Sequence, residues 1–193
     1  MPSKPRRTIT DPKALRAMAH PLRWRLLELI NRMGTATATQ CAHEVGESVA
    51  NCSYHLNILA KYEYIEEAEG GQGREKPWQI VHEGHSWSDM GLDTEGALAA
   101  EAASEAFLEF TFAELRRRFR VASHEPDEWR KAIGSSDSSE FLTAAEVTAM
   151  HEEIMAIMQR HKDRRDNPEL RPEGARPVHF FLTATVAPRI KSD

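Results

Sequence analysis

The chain has 193 residues, 40% of them hydrophobic, two cysteines and a formal net charge of −5. That length suits one large domain or a small domain with an appendage, and the acidic balance excludes a generally basic nucleic-acid binder, so any affinity for DNA must come from a local patch. No apolar run approaches the ~20 residues of a membrane span, no secretory h-region opens the chain and the cysteines form no CxxC, so a soluble cytoplasmic protein without a disulfide framework is expected.

Residues 1–10 carry Lys4, Arg6 and Arg7 among prolines and read as a flexible basic arm. Such an arm either touches DNA phosphates or a minor groove, or is simply a solvated terminus. Asp11-Pro12 has the form of an N-cap followed by proline at the first helical position, which opens a short helix through Ala19. His20-Pro21 breaks it, because a residue before proline avoids the helical region. A second helix then places Leu22, Leu26, Leu29, Ile30 and Met33 inward and Arg23, Arg25, Glu28 and Arg32 outward, ending at Gly34. After a polar connection, Thr37-Ala38-Thr39-Gln40 is a capping box for a third helix that Gly46 stops. Cys41, Ala42 and Val45 point to its core side, and Gln40, His43 and Glu44 to the other.

The stretch Ser48–Leu59 organises the rest. Ser48 caps a fourth helix whose Val49, Cys52, Leu56 and Leu59 recur at helical spacing, while Asn51, Ser53, Tyr54 and His55 stand on the other face. A buried stripe opposed by hydrogen-bonding side chains of moderate reach is the chemistry of a helix that enters a DNA major groove. Helix, Gly46-Glu47 turn and helix then form the supersecondary unit that reads DNA. Two strands follow, Tyr64–Glu69 and Lys76–Val81, around a Gly70–Gly73 tip, and the hairpin places Arg74 and Lys76 to meet phosphates.

Ala19-His20-Pro21-Leu22-Arg23-Trp24-Arg25-Leu26-Leu27-Glu28-Leu29-Ile30, then Cys41–Gly46, Ser53-Tyr54-His55-Leu56-Asn57-Ile58-Leu59 and Tyr64-Ile65 together resemble the ArsR-type winged helix-turn-helix regulators over residues 11–82. The resemblance implies a homodimeric, DNA-binding transcriptional regulator, often a repressor released by a ligand or metal. This chain departs from the metal-sensing members. Thr37 and Thr39 occupy the positions of their thiolate pair, and a hydroxyl does not replace a thiolate toward a soft metal, so no metal site of that type and no cofactor is expected. Cys41 and Cys52 read as core cysteines or, alternatively, as a thiol switch.

Beyond a linker at 82–91, Asp93 or Thr94 caps a long helix to about Arg120. Its Leu108, Phe112, Leu115 and Phe119 form a stripe, widened by Ala103, Phe107 and Phe110, that suits a dimer interface or packing against the chain's own tail. Arg116, Arg117, Arg118 and Arg120 make either a phosphate patch or an ordinary cationic helix terminus. A short helix is expected within 123–133 and a strand at 140–142. A Thr143–Glu146 capping box opens a helix to about Lys162, and a final strand runs over Val178–Val186, giving a small α+β appendage. Met150, Ile154, Met158, Phe180, Leu182 and Trp129 line either a core or a pocket for an apolar effector.

No catalytic motif emerges. His151-Glu152-Glu153-Ile154-Met155 lacks the second histidine of the zinc-protease helix, and Gly70–Gly73 links two strands rather than a strand and a helix. The expectation is therefore a non-enzymatic, mainly α protein of α+β type. It would have an arm (1–10), a winged helix-turn-helix domain (11–90), a dimerisation helix (91–122) and a C-terminal α+β region (123–193) for dimerisation or effector binding. DNA contacts are expected from Ser48, Asn51, Ser53, Tyr54, His55, Arg74 and Lys76. The competing readings are a winged-helix protein-interaction module that never touches DNA and a regulator whose tail senses an apolar small molecule.

Overall fold

A computed structural model describes residues 7–70, 76–81 and 84–187. The chain divides into two units, one covering Pro2–Gly134 and the other the residues from Ser135 onward.

In the first unit local signals set the helix limits. Asp11 accepts the Lys13 N–H at 3.0 Å and opens α1 (Pro12–Met18). His20 does more than break that helix: its Nδ1 accepts the Leu22 N–H at 3.2 Å and caps α2 (Pro21–Met33). The capping box of Thr37 and Gln40 opens α3 (Ala38–Val45), and Ser48 opens α4 (Val49–Lys61). Strands β2 (Thr35–Ala36), β3 (Ile65–Glu67) and β4 (Trp78–Ile80) form an antiparallel sheet in the order β2-β4-β3, with Thr35 opposite Gln79 and Ile65 opposite Ile80. Three helices backed by a small sheet whose last two strands form a hairpin give the winged helix-turn-helix arrangement.

The core lies between these layers. Leu15, Met18, Leu26, Ile30, Cys41, Cys52, Leu56, Leu59, Tyr64 and Ile65 are fully buried, and Tyr64 Oη donates to the Ala14 carbonyl at 2.8 Å. The long helix α5 (Thr94–Ala122) lays Ala99, Ala100, Ala103 and Ala106 against this body and packs on α1 and α2. Small side chains let the backbones approach closely, and beyond Ala106 the helix buries only Thr111. Trp87 packs at a tilt against Trp24 and edge-on against Phe107, with ring centroids 5.7 and 5.9 Å away, and its Nε1–H donates to Ser104 Oγ at 2.8 Å. A short helix α6 (Asp127–Ala132) follows.

Several expectations are corrected. Thr35–Ala36 was expected as plain connection but pairs with β4, a long-range bond no local pattern signals. Residues 7–9 are not a free arm: β1 (Arg7–Thr8) pairs in parallel with β5 (His85–Ser86), and Ile9 is buried. The first six residues lie outside the described ones. Met33 and Val49, assigned inward, are exposed, since each stands at a helix end beyond the edge of the core.

The second unit contains α7 (Ala144–Met158), a tight turn at Gln159–His161, α8 (Asp163–Asp166) and another turn at Pro168–Leu170. The expected strands at 140–142 and 178–186 do not form. Alternation supplies a face, but a strand exists only as part of a ladder. Among the described residues of this unit no side chain is buried. No helix among the described residues is long and apolar enough to cross a membrane.

Candidate nucleic-acid interface

The unit α3–turn–α4 is built from its own sequence. Gly46 sits at φ 72°, ψ 32°, the left-handed region that ends α3 with its N–H on the Ala42 carbonyl, where a β-carbon would cost about 1 kcal/mol. Two residues later Ser48 Oγ accepts the Asn51 N–H at 3.1 Å and starts α4. Cys52, Leu56 and Leu59 hold α4 to the core. The free face is the row Ala50, Tyr54, Asn57 and Lys61, at i, i+4, i+7 and i+11, with Tyr54 61% exposed.

The candidate residues are distributed over this face unequally. Ser48 and Tyr54 are exposed, while Asn51 and Ser53 are half-buried on the two flanks of the row. Asn51 Nδ2 donates to Glu47 Oε2 at 2.9 Å, so its amide is already oriented by a carboxylate in the turn. Asn57 and Lys61 belong to the row and were missed; their spacing from Tyr54 was the available signal. Asn57 Nδ2 donates to the Ser53 carbonyl at 2.8 Å.

His55 does not stand on the free face. It is 5% exposed, and its Nδ1 accepts from Arg23 Nε at 3.2 Å. The His20 ring lies 4.4 Å from it, and the Tyr54 ring meets it edge-on at 5.2 Å. Arg23, expected outward, also donates through Nη1 to the Ala17 carbonyl at 2.6 Å. A buried polar ring is tolerable because it has a partner, and that partner lies 32 residues away, out of reach of local pattern reading. Burial, followed by His20 and Arg23, lowers the pKa of His55, with Glu47 opposing. Burial and then Arg23 lower that of His20.

On the hairpin, Lys76 pairs with Glu67 and Gln79 Nε2 donates to Glu66 Oε1 at 3.0 Å. Lys76 therefore meets a carboxylate of the facing strand β3 before any phosphate. Arg74 lies outside the described residues.

The α5 stripe separates into two faces. Phe107 and Phe110 join the core of the first unit, Leu115 is half-buried, and Leu108, Phe112 and Phe119 are exposed at 40%, 46% and 50%. Two members of the arginine run are anchored: Arg117 and Arg118 both hold Glu114, and Arg118 also reaches Glu28 on α2 at 2.8 Å. The Arg117 bond leads the causes that hold the Glu114 carboxyl down to about 2, with Arg118 adding and desolvation opposing. Cys41 and Cys52 are both free and buried, and burial raises both thiols, Cys41 to about 11, which makes them poor nucleophiles.

No protein-family model matches the sequence, and no curated protein matches it. Among solved structures the chain is similar to the C30AH42A mutant of Lactococcus lactis ZitR, at 15% identity over 69% of this chain and 73% of that one, with a TM-score of 0.30. It is also similar to the transcriptional regulator homologue protein from Pyrococcus horikoshii OT3, at 13% identity over 49% of this chain and 83% of that one, with a TM-score of 0.29. Likenesses this distant carry no functional argument.

Proposed function

We propose that the protein is a sequence-specific, DNA-binding transcriptional regulator of the cytoplasm, a homodimeric repressor rather than an enzyme. The observation that carries this is α4: a serine-capped helix, held by Cys52, Leu56 and Leu59, turns Tyr54, Asn57 and Lys61 to solvent with Asn51 and Ser53 beside them. In the major groove Asn51 and Ser53 read base edges, and Tyr54 reaches bases or phosphates. Arg74 and Lys76 serve phosphates from the hairpin, which requires Lys76 to exchange Glu67 for the backbone. The exposed Leu108, Phe112 and Phe119 of α5, with Leu115 at their edge, form the dimer face. Two copies then present two α4 helices about one helical turn of DNA, ~34 Å, apart on a near-palindromic site.

The test is selection of duplexes from a random pool, followed by fluorescence anisotropy with the selected site. Asn51→Ala is expected to cost on the order of 1–3 kcal/mol at one base position and little elsewhere. Unchanged discrimination would remove Asn51 from the readout, and failure to select any duplex would remove the DNA reading.

A second reading has its own support. Glu66, Glu67 and Glu69 give the hairpin an acidic character that repels phosphate and suits a basic protein partner. Retention on a duplex column at moderate salt separates the two.

A further inference from the structure

We infer that Arg23 and His55 are a positioning pair, with His20 as its third member, and that they seat α4 correctly only while His55 is a neutral acceptor. The inference rests on the reading of α4 as the DNA-contacting helix.

The geometry is that of a three-way tie. One guanidinium, rooted on α2, donates through Nη1 to the end of α1 at Ala17 and Arg16, 2.6 and 3.4 Å away, and through Nε to His55 on α4 at 3.2 Å. His20 fills the space beside it, its ring 4.4 Å from that of His55 and tilted by 44°. Arg23 and the Leu22 N–H are donors, so Nδ1 of both imidazoles is an acceptor and the proton of each ring sits on Nε2.

That arrangement has no room for a proton. Protonated at Nδ1, His55 would point an N–H at the guanidinium that now donates to it. Protonated His20 would likewise oppose the Leu22 N–H and lose the cap of α2. The charged and titratable groups facing the pair are Arg23 from α2, His20 from the α1–α2 turn, Glu47 from the turn before α4, Tyr54 from α4 itself, and Tyr62 and Tyr64 from the segment that follows. Glu47 alone among them is acidic, and it is exposed and already holds Asn51. Acidification therefore places positive charge among donors, and the contact between α4 and α2 is what yields.

The sign of the effect is distinctive. A histidine that touched phosphates directly would tighten DNA binding as pH falls, because its charge would meet an anion. A histidine that seats the helix as a neutral acceptor weakens binding in the same interval. Because both rings have lowered pKa values, the seat is intact above about 6.5, the ordinary histidine value, and is lost as pH falls below it toward the folded-state value.

The experiment uses the full chain and a fluorescent duplex that it selects from a random pool at neutral pH. Affinity is measured at pH of about 7.5 and about 5.5, alongside hydrogen exchange of the α4 amides without DNA. Wild type is expected to lose about fivefold or more in affinity at the lower pH and to lose protection along α4. His55→Asn, which keeps an acceptor oxygen near the Nδ1 position but cannot be protonated, is expected to bind within about threefold of wild type at neutral pH and to show a flattened profile in both readouts. His55→Gln is the second non-titrating variant should the first not fold. Identical pH profiles in wild type and variant, or affinity that rises on acidification, would overturn the inference. A chain that selects no duplex removes the DNA reading instead, and the exchange data still judge the pair.

Discussion

Helices α4 and α7 have nearly the same local recipe and opposite fates. α4 is 13 residues long with a serine cap, and α7 is 15 residues long with a complete Thr143–Glu146 capping box, the better of the two beginnings. Yet α4 buries Cys52, His55, Leu56 and Leu59, while α7 buries nothing. Capping settles where a helix starts; what it rests on comes from residues far away in the chain. For α4 those include Arg23 and the packed face of α2, together with strand β3. Among its own residues, 135–187, α7 has no such bed.

This contrast is open to direct attack. The largest effect is expected from Leu56→Ala, which empties a fully buried site and should lower stability by about 2–5 kcal/mol in urea unfolding followed by tryptophan fluorescence. Ile157→Ala on α7 removes an equally apolar side chain that is 54% exposed, and its change should stay within about 0.5 kcal/mol. Equal losses would mean that α7 has a bed after all. Next in size, Ser48→Ala should cost about 1 kcal/mol of global stability. Thr143→Ala should leave the global transition unchanged and reduce only exchange protection at the start of α7.

A modest, pH-dependent effect concerns α5 where it leaves the core. Glu114→Gln should cost a few tenths to about 1 kcal/mol at neutral pH. Because the folded carboxyl titrates at about 2, its contribution is present above the ordinary carboxylate value, near 4.5, and disappears as pH falls from there to about 2. Acid titration of stability in wild type and variant should converge at the bottom of that window.

The same contrast explains what could be read beforehand. The limits of α1 to α4 were legible because Asp11, Pro12, Pro21, Thr37, Gln40, Gly46 and Ser48 act within one turn of where they stand. The inward side of α4 was legible through Cys52, Leu56 and Leu59, and the hairpin through Gly70 and its flanking alternation. His55 was not, because a histidine is polar until something distant satisfies it, and Arg23 does so across 32 positions. Thr35–Ala36 escaped for the same reason, since only Gln79 and Trp78 make it a strand. Residues 178–186 show the reverse error: good strand composition without a ladder. On the free face of α4, Tyr54 is exposed as its spacing predicts, Asn57 and Lys61 share that row by the same periodicity, and Arg74 lies outside the described residues.

The pairing of Arg7–Thr8 with His85–Ser86 governs the order of assembly. Its two flanking bonds, Arg7 N–H to the Gly84 carbonyl at 3.1 Å and Ile9 N–H to the Ser86 carbonyl at 2.8 Å, clasp a loop that contains all of α1 to β4. Closing so long a loop is entropically unfavourable until the enclosed chain has condensed, so this seam is expected to close after the elements it encloses. It is also the first place to fray, which makes the front of the chain a latch on a body already built.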